Sequence, residues 1–251
     1  MDTDLVIVPA YDVRKAQSLM EEWLEGNRLA FDEVWINFSG GTKPMALAAF
    51  AAAARFGPKL LYLESERRRS ILYKYTVDND GRLAPVQREE VPPIIDIKTY
   101  IRAHVDDARF DVYKNTAGRP FEESVANALR RGNGIDEVIE GVRFSGGQVD
   151  IDVVVRCGNQ IGLVEAKTGQ VKKEAIDQLN TAAQQLGTYV AKFWVRANTA
   201  QKSPALLDEL ARAQGIVVIE LRSYDQATHT ISPNDAQKLV SEVRRALTGE
   251  S

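Results

Sequence analysis

Two carboxylates set face to face across a hairpin constrain this chain more than any other feature. Residues Val149-Asp150-Ile151-Asp152-Val153-Val154-Val155-Arg156 alternate and are rich in β-branched side chains. Gln160-Ile161-Gly162-Leu163-Val164-Glu165-Ala166-Lys167 form a second apolar run, and Gly158-Asn159 between them suits a two-residue turn. That turn pairs Cys157 with Gln160. Counting outward, Asp152 falls opposite Glu165 and Asp150 opposite Lys167, all four on one face because side chains alternate along a strand. Like charges directly opposed destabilise a sheet. A fold that keeps such a pair needs compensation, and a divalent cation held by both carboxylates supplies it. Hard oxygen ligands on a rigid hairpin suit Mg²⁺ or Mn²⁺. Lys167, on the same face, is placed to activate a water or to stabilise developing negative charge. The pattern points to phosphodiester-cleavage chemistry. The plainer alternative is an edge hairpin that carries charge to block aggregation, but the surrounding Val and Leu runs read as central strands.

A third acid belongs with these. In the helix Phe121-Glu122-Glu123-Ser124-Val125-Ala126-Asn127-Ala128-Leu129, Glu122 precedes Val125, Ala126 and Leu129 at helical spacing, so it points toward the apolar face. Glu123 falls on the solvent side. An inward glutamate needs a partner, which a metal site provides; taken alone, stabilisation of the helix N-terminus explains it better, and it is the company of Asp152 and Glu165 that favours a site role. Gln178, on the next helix, and Thr168, just after the lysine, are accessory candidates whose alternatives are surface or capping roles. His104 and His229 have no neighbouring ligand at metal spacing. Lys172 and Lys173 read as a solvated helix start.

The remaining elements follow from periodicity and punctuation. Leu5 to Val8 is a predicted buried strand, Asp12 to Glu25 a helix, Phe31 to Phe38 a strand, Pro44 to Arg55 an alanine-rich helix and Leu60 to Leu63 a third strand. This β-α-β-α-β order predicts a parallel sheet with helices packed on it. Ile71 to Val77 is a further strand, able to pair with the segment near Leu83 through Asp78-Asn79-Asp80-Gly81. Pro85 to Pro93, with three prolines and several charges, reads as a linker, and Ile94 to Ala108 as a short helix. Beyond it come helices at 120–131, 173–186, 204–213 and 235–247 and strands at 138–144, 189–195 and 216–221, besides the hairpin. A length of 251 residues accommodates two modest domains. The net charge of −3 excludes a global polycation, so any nucleic-acid contact must come from local patches. A single cysteine, Cys157, forms neither an intrachain disulfide nor a zinc cluster and implies a reducing compartment. With no apolar segment of signal-peptide or membrane-span length, the expectation is a cytoplasmic protein.

Between the second strand and second helix lies Ser39-Gly40-Gly41-Thr42-Lys43. Glycines turn the chain tightly and present N–H groups, the helix N-terminus favours anions, and Lys43 with two hydroxyls adds donors. The loop suits a phosphate or an oligonucleotide backbone, although its spacing is not that of a Walker loop. An ordinary βα turn is the alternative. The basic run Arg67-Arg68-Arg69 reads as a solvated hairpin turn.

Helix-Glu, then Asp on a strand, then Glu-x-Lys on the next resembles the PD-(D/E)xK nuclease superfamily over residues 115–225. The resemblance implies a mixed sheet flanked by helices, with Asp152, Glu165 and Glu122 as metal ligands and Lys167 as the group that assists water; Asp150 competes with Asp152. The stretch Asn37-Phe38-Ser39-Gly40-Gly41-Thr42-Lys43-Pro44-Met45-Ala46-Leu47, with Leu60-Leu61-Tyr62-Leu63-Glu64 and the segment Arg67 to Tyr75, is similar to the signature of CARF domains. These are sensors of cyclic oligoadenylates in type III CRISPR defence. The two in this order resemble CRISPR ancillary nucleases, in which cyclic tetra-adenylate bound across a homodimer activates cleavage of DNA, RNA or both. The implied fold class is α/β: a Rossmann-like parallel-sheet domain (1–84), a linker with a short helix (85–110) and a restriction-endonuclease-like mixed-sheet domain (111–251). The chain departs from that family in having one βα unit before the glycine loop, which implies a shortened sensor. The expected activity is a Mg²⁺- or Mn²⁺-dependent endonuclease, with Ser39 to Lys43 binding the cyclic nucleotide. Two alternatives stand beside it: a non-catalytic sensing or nucleic-acid-binding protein, and a ligand-independent DNA nuclease of the restriction or repair type.

Overall fold

The computed structural model describes residues 7–27, 34–66, 69–93, 95–111, 117–169, 173–187, 190–197 and 205–249. The chain divides into two compact units, 1–92 and 93–251.

The first unit contains α1 (Val13–Asn27), β1 (Trp35–Asn37), α2 (Lys43–Phe56), β2 (Lys59–Glu66), β3 (Arg69–Val77) and β4 (Leu83–Val91). Its sheet runs β1-β2-β3-β4. Helix α2 begins at the Thr42 cap with Pro44 in its first turn and ends at Gly57, whose φ of 81° closes the last turn. Its Ala48, Ala49, Ala52 and Ala53 are buried, as are Ala16 and Leu24 of α1. Small side chains let helices approach closely. Between α1 and α2, the buried Glu21 carboxylate accepts from Gln17 Nε2 at 2.7 Å and from Arg55.

Three expectations change here. Parallel pairing covers β1 and β2 only; β3 and β4 turn back as an antiparallel extension. Of the predicted strand Leu5 to Val8, Leu5 and Val6 lie outside the described residues, while Ile7 and Val8 are not in a strand and Ile7 is 82% exposed. No described strand pairs with them, and an apolar run without a partner has no ladder to satisfy its backbone. The segment 85–91, read as linker, is most of β4. Charged and proline-bearing strands are tolerated at an edge. Pro85 sits opposite Tyr75, beside the register shift between Lys74 and Tyr75. The predicted strand Phe31 to Phe38 is seen over Trp35–Asn37, and Phe31 to Glu33 lie outside the described residues.

The second unit contains α3 (Ile97–His104), α4 (Arg119–Arg130), β5 (Glu137–Phe144), β6 (Val149–Cys157), β7 (Gln160–Lys167), α5 (Lys173–Leu186), β8 (Ala191–Ala197), α6 (Ala205–Ala213), β9 (Ile216–Leu221), β10 (Tyr224–Asp225), β11 (Thr230–Ile231) and α7 (Pro233–Thr248). A mixed sheet runs β5-β6-β7-β8-β9, antiparallel over its first three strands and parallel over its last three. One face carries α3, α5 and α6, with Ile97, Ile101, Leu179, Leu186 and Trp194 buried together. The other carries α4 and α7, with Phe121, Leu129, Phe193, Leu239 and Val243. Full burial of a Phe such as Phe121 or Phe193 stabilises by roughly 1.5–3 kcal/mol. Val153, Val154 and Val155 are all buried, because β6 is covered on both faces.

Candidate active site

The hairpin has the register read from its turn. Cys157 pairs with Gln160, and the ladder continues to Val153 opposite Val164. Gly158 takes φ 59°, the left-handed conformation that such a turn requires. The next pair would oppose Asp152 to Glu165, and there the strands part. The N–H of Ala166 donates to Asp152 Oδ2 at 2.8 Å, so a carboxylate takes the bond that strand backbone would otherwise supply. The pairing of β5 with β6 is also interrupted, at Gly141 and Asp152, and resumes with Val142 opposite Ile151. Gly141 has φ 61°. On β6 the buried side chains change face at this point: Val153 and Val155 join the α4–α7 core, whereas Val149 and Ile151 join the opposite one. Asp152 thus sits at a bend that opens a wedge between β6 and β7.

Lys167 fills that wedge. Its ammonium lies 3.0 Å from Asp152 Oδ2 and 2.8 Å from Glu165 Oε1. The expected pairing of Asp150 with Lys167 does not form. By Lys167, β7 is paired with β8 while β6 has bent away, and the long lysine side chain turns back to the two acids. Asp150 instead meets its β5 neighbour Arg143, at 3.1 Å. Asp152, Glu165 and Lys167 therefore come together, and Asp150 is tied to a separate cation.

The electrostatics bring in Glu122. Burial, and then the negative charge of Asp152, push the Glu122 carboxyl up to about 7. Burial and Asp152 likewise push Glu165 up to about 8, and burial raises Asp152. Burial alone would lower the Lys167 ammonium; the charges of Glu165 and Asp152 outweigh it and hold Lys167 above its ordinary value. Three carboxyls around one ammonium leave the site over-supplied with negative charge. As they stand, no three His, Cys, Asp or Glu side chains among the described residues are grouped to hold a metal ion.

Other residues singled out from the sequence fall as follows. Glu123 is on the outer side of α4, paired with Arg119 at 2.8 Å. Gln178 Nε2 donates to the Asp150 carbonyl at 3.2 Å and ties α5 to the bent part of β6. The His104 ring lies against Tyr100, and His229 Nδ1 is 3.1 Å from the Tyr224 hydroxyl. Cys157 is buried at the end of β6. Lys172 lies outside the described residues, as do Arg67 and Arg68, whereas Arg69 pairs with Glu90 at 2.9 Å.

In the first unit the glycine loop is tied down from both ends. The Ser39 hydroxyl donates to Asn37 Oδ1 at 2.7 Å and accepts from the Leu63 N–H at 2.5 Å. The Thr42 hydroxyl accepts from Met45 N and donates to the Ala10 carbonyl. Both hydroxyl protons are thus engaged, the Ser39 N–H also donates to Asn37 Oδ1 at 3.0 Å, and Lys43 is exposed. Gly41 has φ 83°, and a Cβ there would come within 3.3 Å of Met45 Sδ. Sequence reasoning missed one feature beside the loop. Phe38 stacks on Tyr62 at 5.5 Å, Tyr62 meets Tyr73 at 6.4 Å and Tyr73 stacks on Tyr75 at 6.1 Å. The available signal was the i, i+2 spacing of Tyr73 and Tyr75 in one strand; the ladder needs the β2–β3 register, with Tyr62 opposite Tyr73.

No protein-family model matches the chain, and no curated protein matches its sequence. Solved structures do. Can2 from Sulfobacillus thermosulfidooxidans, in complex with cyclic tetra-adenylate, superposes with a TM-score of 0.63 at 17% identity, over 93% of this chain and 83% of that one. Protein VC1899 from Vibrio cholerae gives 0.64 at 14% identity, over 97% and 84%. A type III CRISPR defence DNA nuclease activated by cyclic oligoadenylate gives 0.52 at 15% identity; it matches 96% of this chain, which spans 44% of it. At these identities the likeness establishes the fold. It is the two-unit α/β fold that the resemblance implied, with a second sheet that is mixed as expected and a first sheet that is parallel only over β1 and β2.

Proposed function

We propose that the protein is a metal-dependent endonuclease that hydrolyses phosphodiester bonds in DNA or RNA under the control of a cyclic oligoadenylate, acting as a homodimer in the cytoplasm. The observation that carries the reading is the meeting of Asp152, Glu165 and Lys167 within 3.0 Å at a bent hairpin, with Glu122 electrostatically joined to them. The donor set fits Mg²⁺ or Mn²⁺: the oxygens are hard, the Glu165 carboxyl is buried, and their surplus negative charge is what a divalent cation neutralises. Asp152 and Glu165 would hold the ion and Glu122 would complete the set. When bound, such an ion polarises the scissile phosphate and makes an attacking water more acidic. The chain's own contribution is the placement of Lys167, whose ammonium is held between the carboxylates and donates toward a phosphate oxygen or a water. Arg143 keeps Asp150 out of this set, and Gln178 fixes the backbone that carries it.

The glycine loop supports the regulatory half. Its glycine backbone at a helix start and the exposed Lys43 suit phosphate oxygens, and the adjoining aromatic ladder offers stacking surface for a purine. Structures of the same fold include one with bound cyclic tetra-adenylate and one described as activated by cyclic oligoadenylate.

One observation favours a second reading, in which the second unit binds nucleic acid without cutting it: Lys167 already neutralises much of the acidic pair. A single assay separates the readings. Supercoiled plasmid and single-stranded RNA are incubated with protein and Mn²⁺, with and without cyclic tetra-adenylate, beside the Asp152→Asn variant. Cleavage that requires the ligand and is lost in the variant is the expected result. Cleavage without ligand identifies a ligand-independent nuclease. No cleavage of either substrate under any condition leaves the binding protein.

A further inference from the structure

Three charged side chains line up on the face of the second sheet that carries α4. Val149 and Ile151 pack into the cluster on the opposite face, so Asp150 between them points to the α4 face. Its partner across the β5–β6 ladder is Arg143. Beyond β5 the sheet gains one more rung. The N–H of Arg109 donates to the Arg143 carbonyl at 2.7 Å, and the N–H of Arg143 donates to the Arg109 carbonyl at 2.9 Å. Ala108 and Phe110 pack into the opposite cluster, which turns Arg109 to the same face as Arg143 and Asp150.

Two guanidiniums thus stand directly opposed on neighbouring strands, with one carboxylate beside them. Like charges so placed cost a sheet stability. Asp150 engages only Nη2 of Arg143, at 3.1 Å. Arg143 Nε is buried and has no hydrogen-bond partner among the described residues, so the donors of this side chain are not saturated. Arg109 is exposed and makes no ion pair among the described residues. The nearby Asp107 is spent on the Gly146 and Ser145 N–H groups, at 2.6 and 3.0 Å. The row therefore carries one positive charge in excess, and an anion with several acceptor oxygens is what relieves it. A guanidinium fork matches a phosphate in paired hydrogen bonds.

We infer that Arg109 and Arg143 hold a backbone phosphate of the strand that the carboxylate site cuts; the identity of the ligand rests on the proposed nuclease function. The row leads to that site. Asp150 is two residues from Asp152 on β6. Burial and Asp152 do most to push the Glu122 carboxyl up, and Asp150 adds to them, so the row lies on the side of the sheet from which Glu122 enters. Neighbouring strands are ~4.8 Å apart, which sets Arg109 about 10 Å from β6. At ~3.4 Å per nucleotide along a strand, that is about three nucleotides from the cut.

The test is fluorescence anisotropy of labelled DNA and RNA oligonucleotides against the full-length chain carrying Asp152→Asn, which prevents cleavage during the titration. Adding Arg109→Gln weakens binding roughly five-fold at low salt and reduces the slope of log affinity against log salt by about one. Arg109→Lys restores most of both. Backbone groups make the rung at 109, so the side-chain change leaves it in place, and matching melting temperatures show it. Arg102→Gln is the control: this exposed arginine lies over the Phe110 ring on the opposite side of the same segment, and its loss leaves affinity and slope unchanged. With Asp152 intact, Arg109→Gln raises KM more than it lowers kcat. Unchanged affinity and slope in folded Arg109→Gln overturn the inference. So does an equal loss in Arg102→Gln, which identifies non-specific attraction. If oligonucleotides bind through Arg109 and the wild-type protein cuts nothing, the phosphate contact stands and the nuclease reading fails. If the wild type cuts and Arg109→Gln binds and cuts equally well, the nuclease reading stands and the inference fails. Binding of neither DNA nor RNA overturns both.

Discussion

Asp152 does two jobs that different substitutions separate. Its carboxylate accepts the Ala166 N–H and faces Lys167. Asp152→Ala leaves that N–H without its acceptor and is expected to cost about 1–3 kcal/mol. Asp152→Asn keeps an acceptor there and is expected to retain most of the stability, while both variants lose cleavage. Thermal melts beside cleavage assays check this, and equal melting temperatures for the two variants would contradict it. The acids also set a pH dependence. Glu122 holds its proton up to about 7 and Glu165 up to about 8 in the folded chain, against an ordinary value of 4.5. Between about 4.5 and 8 the folded state therefore binds more protons than the unfolded state, so metal-free stability falls as pH rises through that window. Glu122→Gln and Glu165→Gln should each flatten the fall, which melting temperatures across the window will show. Divalent-ion affinity should rise over the same interval, because binding must release those protons.

At the scale of elements, the wedge between β6 and β7 comes from a good hairpin brought to a stop. The ladder holds from the turn to Val153 and Val164 and then yields to a carboxylate–amide bond. The held part is tightly packed. Gly162 lies under Phe193, and a Cβ there would come within 2.7 Å of the ring and 3.1 Å of Val155. A glycine inside a strand often marks such a close approach. Gly162→Ala is expected to destabilise by about 1–3 kcal/mol through overpacking, measurable as a lower denaturant midpoint. A neutral result would mean that Phe193 shifts freely.

At the scale of the molecule, the two units differ in what holds them. Among the described residues, both large apolar clusters belong to 97–247, whereas the first unit buries mainly alanines with Leu24, Leu60 and Ile71. A fragment of residues 93–251 is expected to unfold in one cooperative transition, and calorimetry would reveal a broad, non-cooperative melt if it does not. Cyclic tetra-adenylate at about 100 times its dissociation constant should stabilise the unit that binds it by ~2.7 kcal/mol. The shift should appear in the full chain, be absent from the 93–251 fragment and be reduced by Lys43→Ala.

Much of this was legible in sequence because local rules carried it. The turn at Gly158-Asn159 determined the hairpin register, the Thr42-Lys43-Pro44 start and Gly57 bounded α2, and the inward spacing of Glu122 on α4 followed from helical periodicity. Proline-rich composition misled at 85–91, where an edge position made a strand of an apparent linker. Alternation also predicted Lys167 opposite Asp150 and missed the bend at Gly141 and Asp152. Such a bend depends on how β5, β6 and β7 satisfy one another's backbone, which no single strand's sequence contains. The tyrosine ladder likewise required distant segments to be brought together. Local chemistry determined which elements form and which side chains are available to react. Tertiary packing decided which of them meet, because backbone pairing and close approach at glycines are properties of neighbours in space.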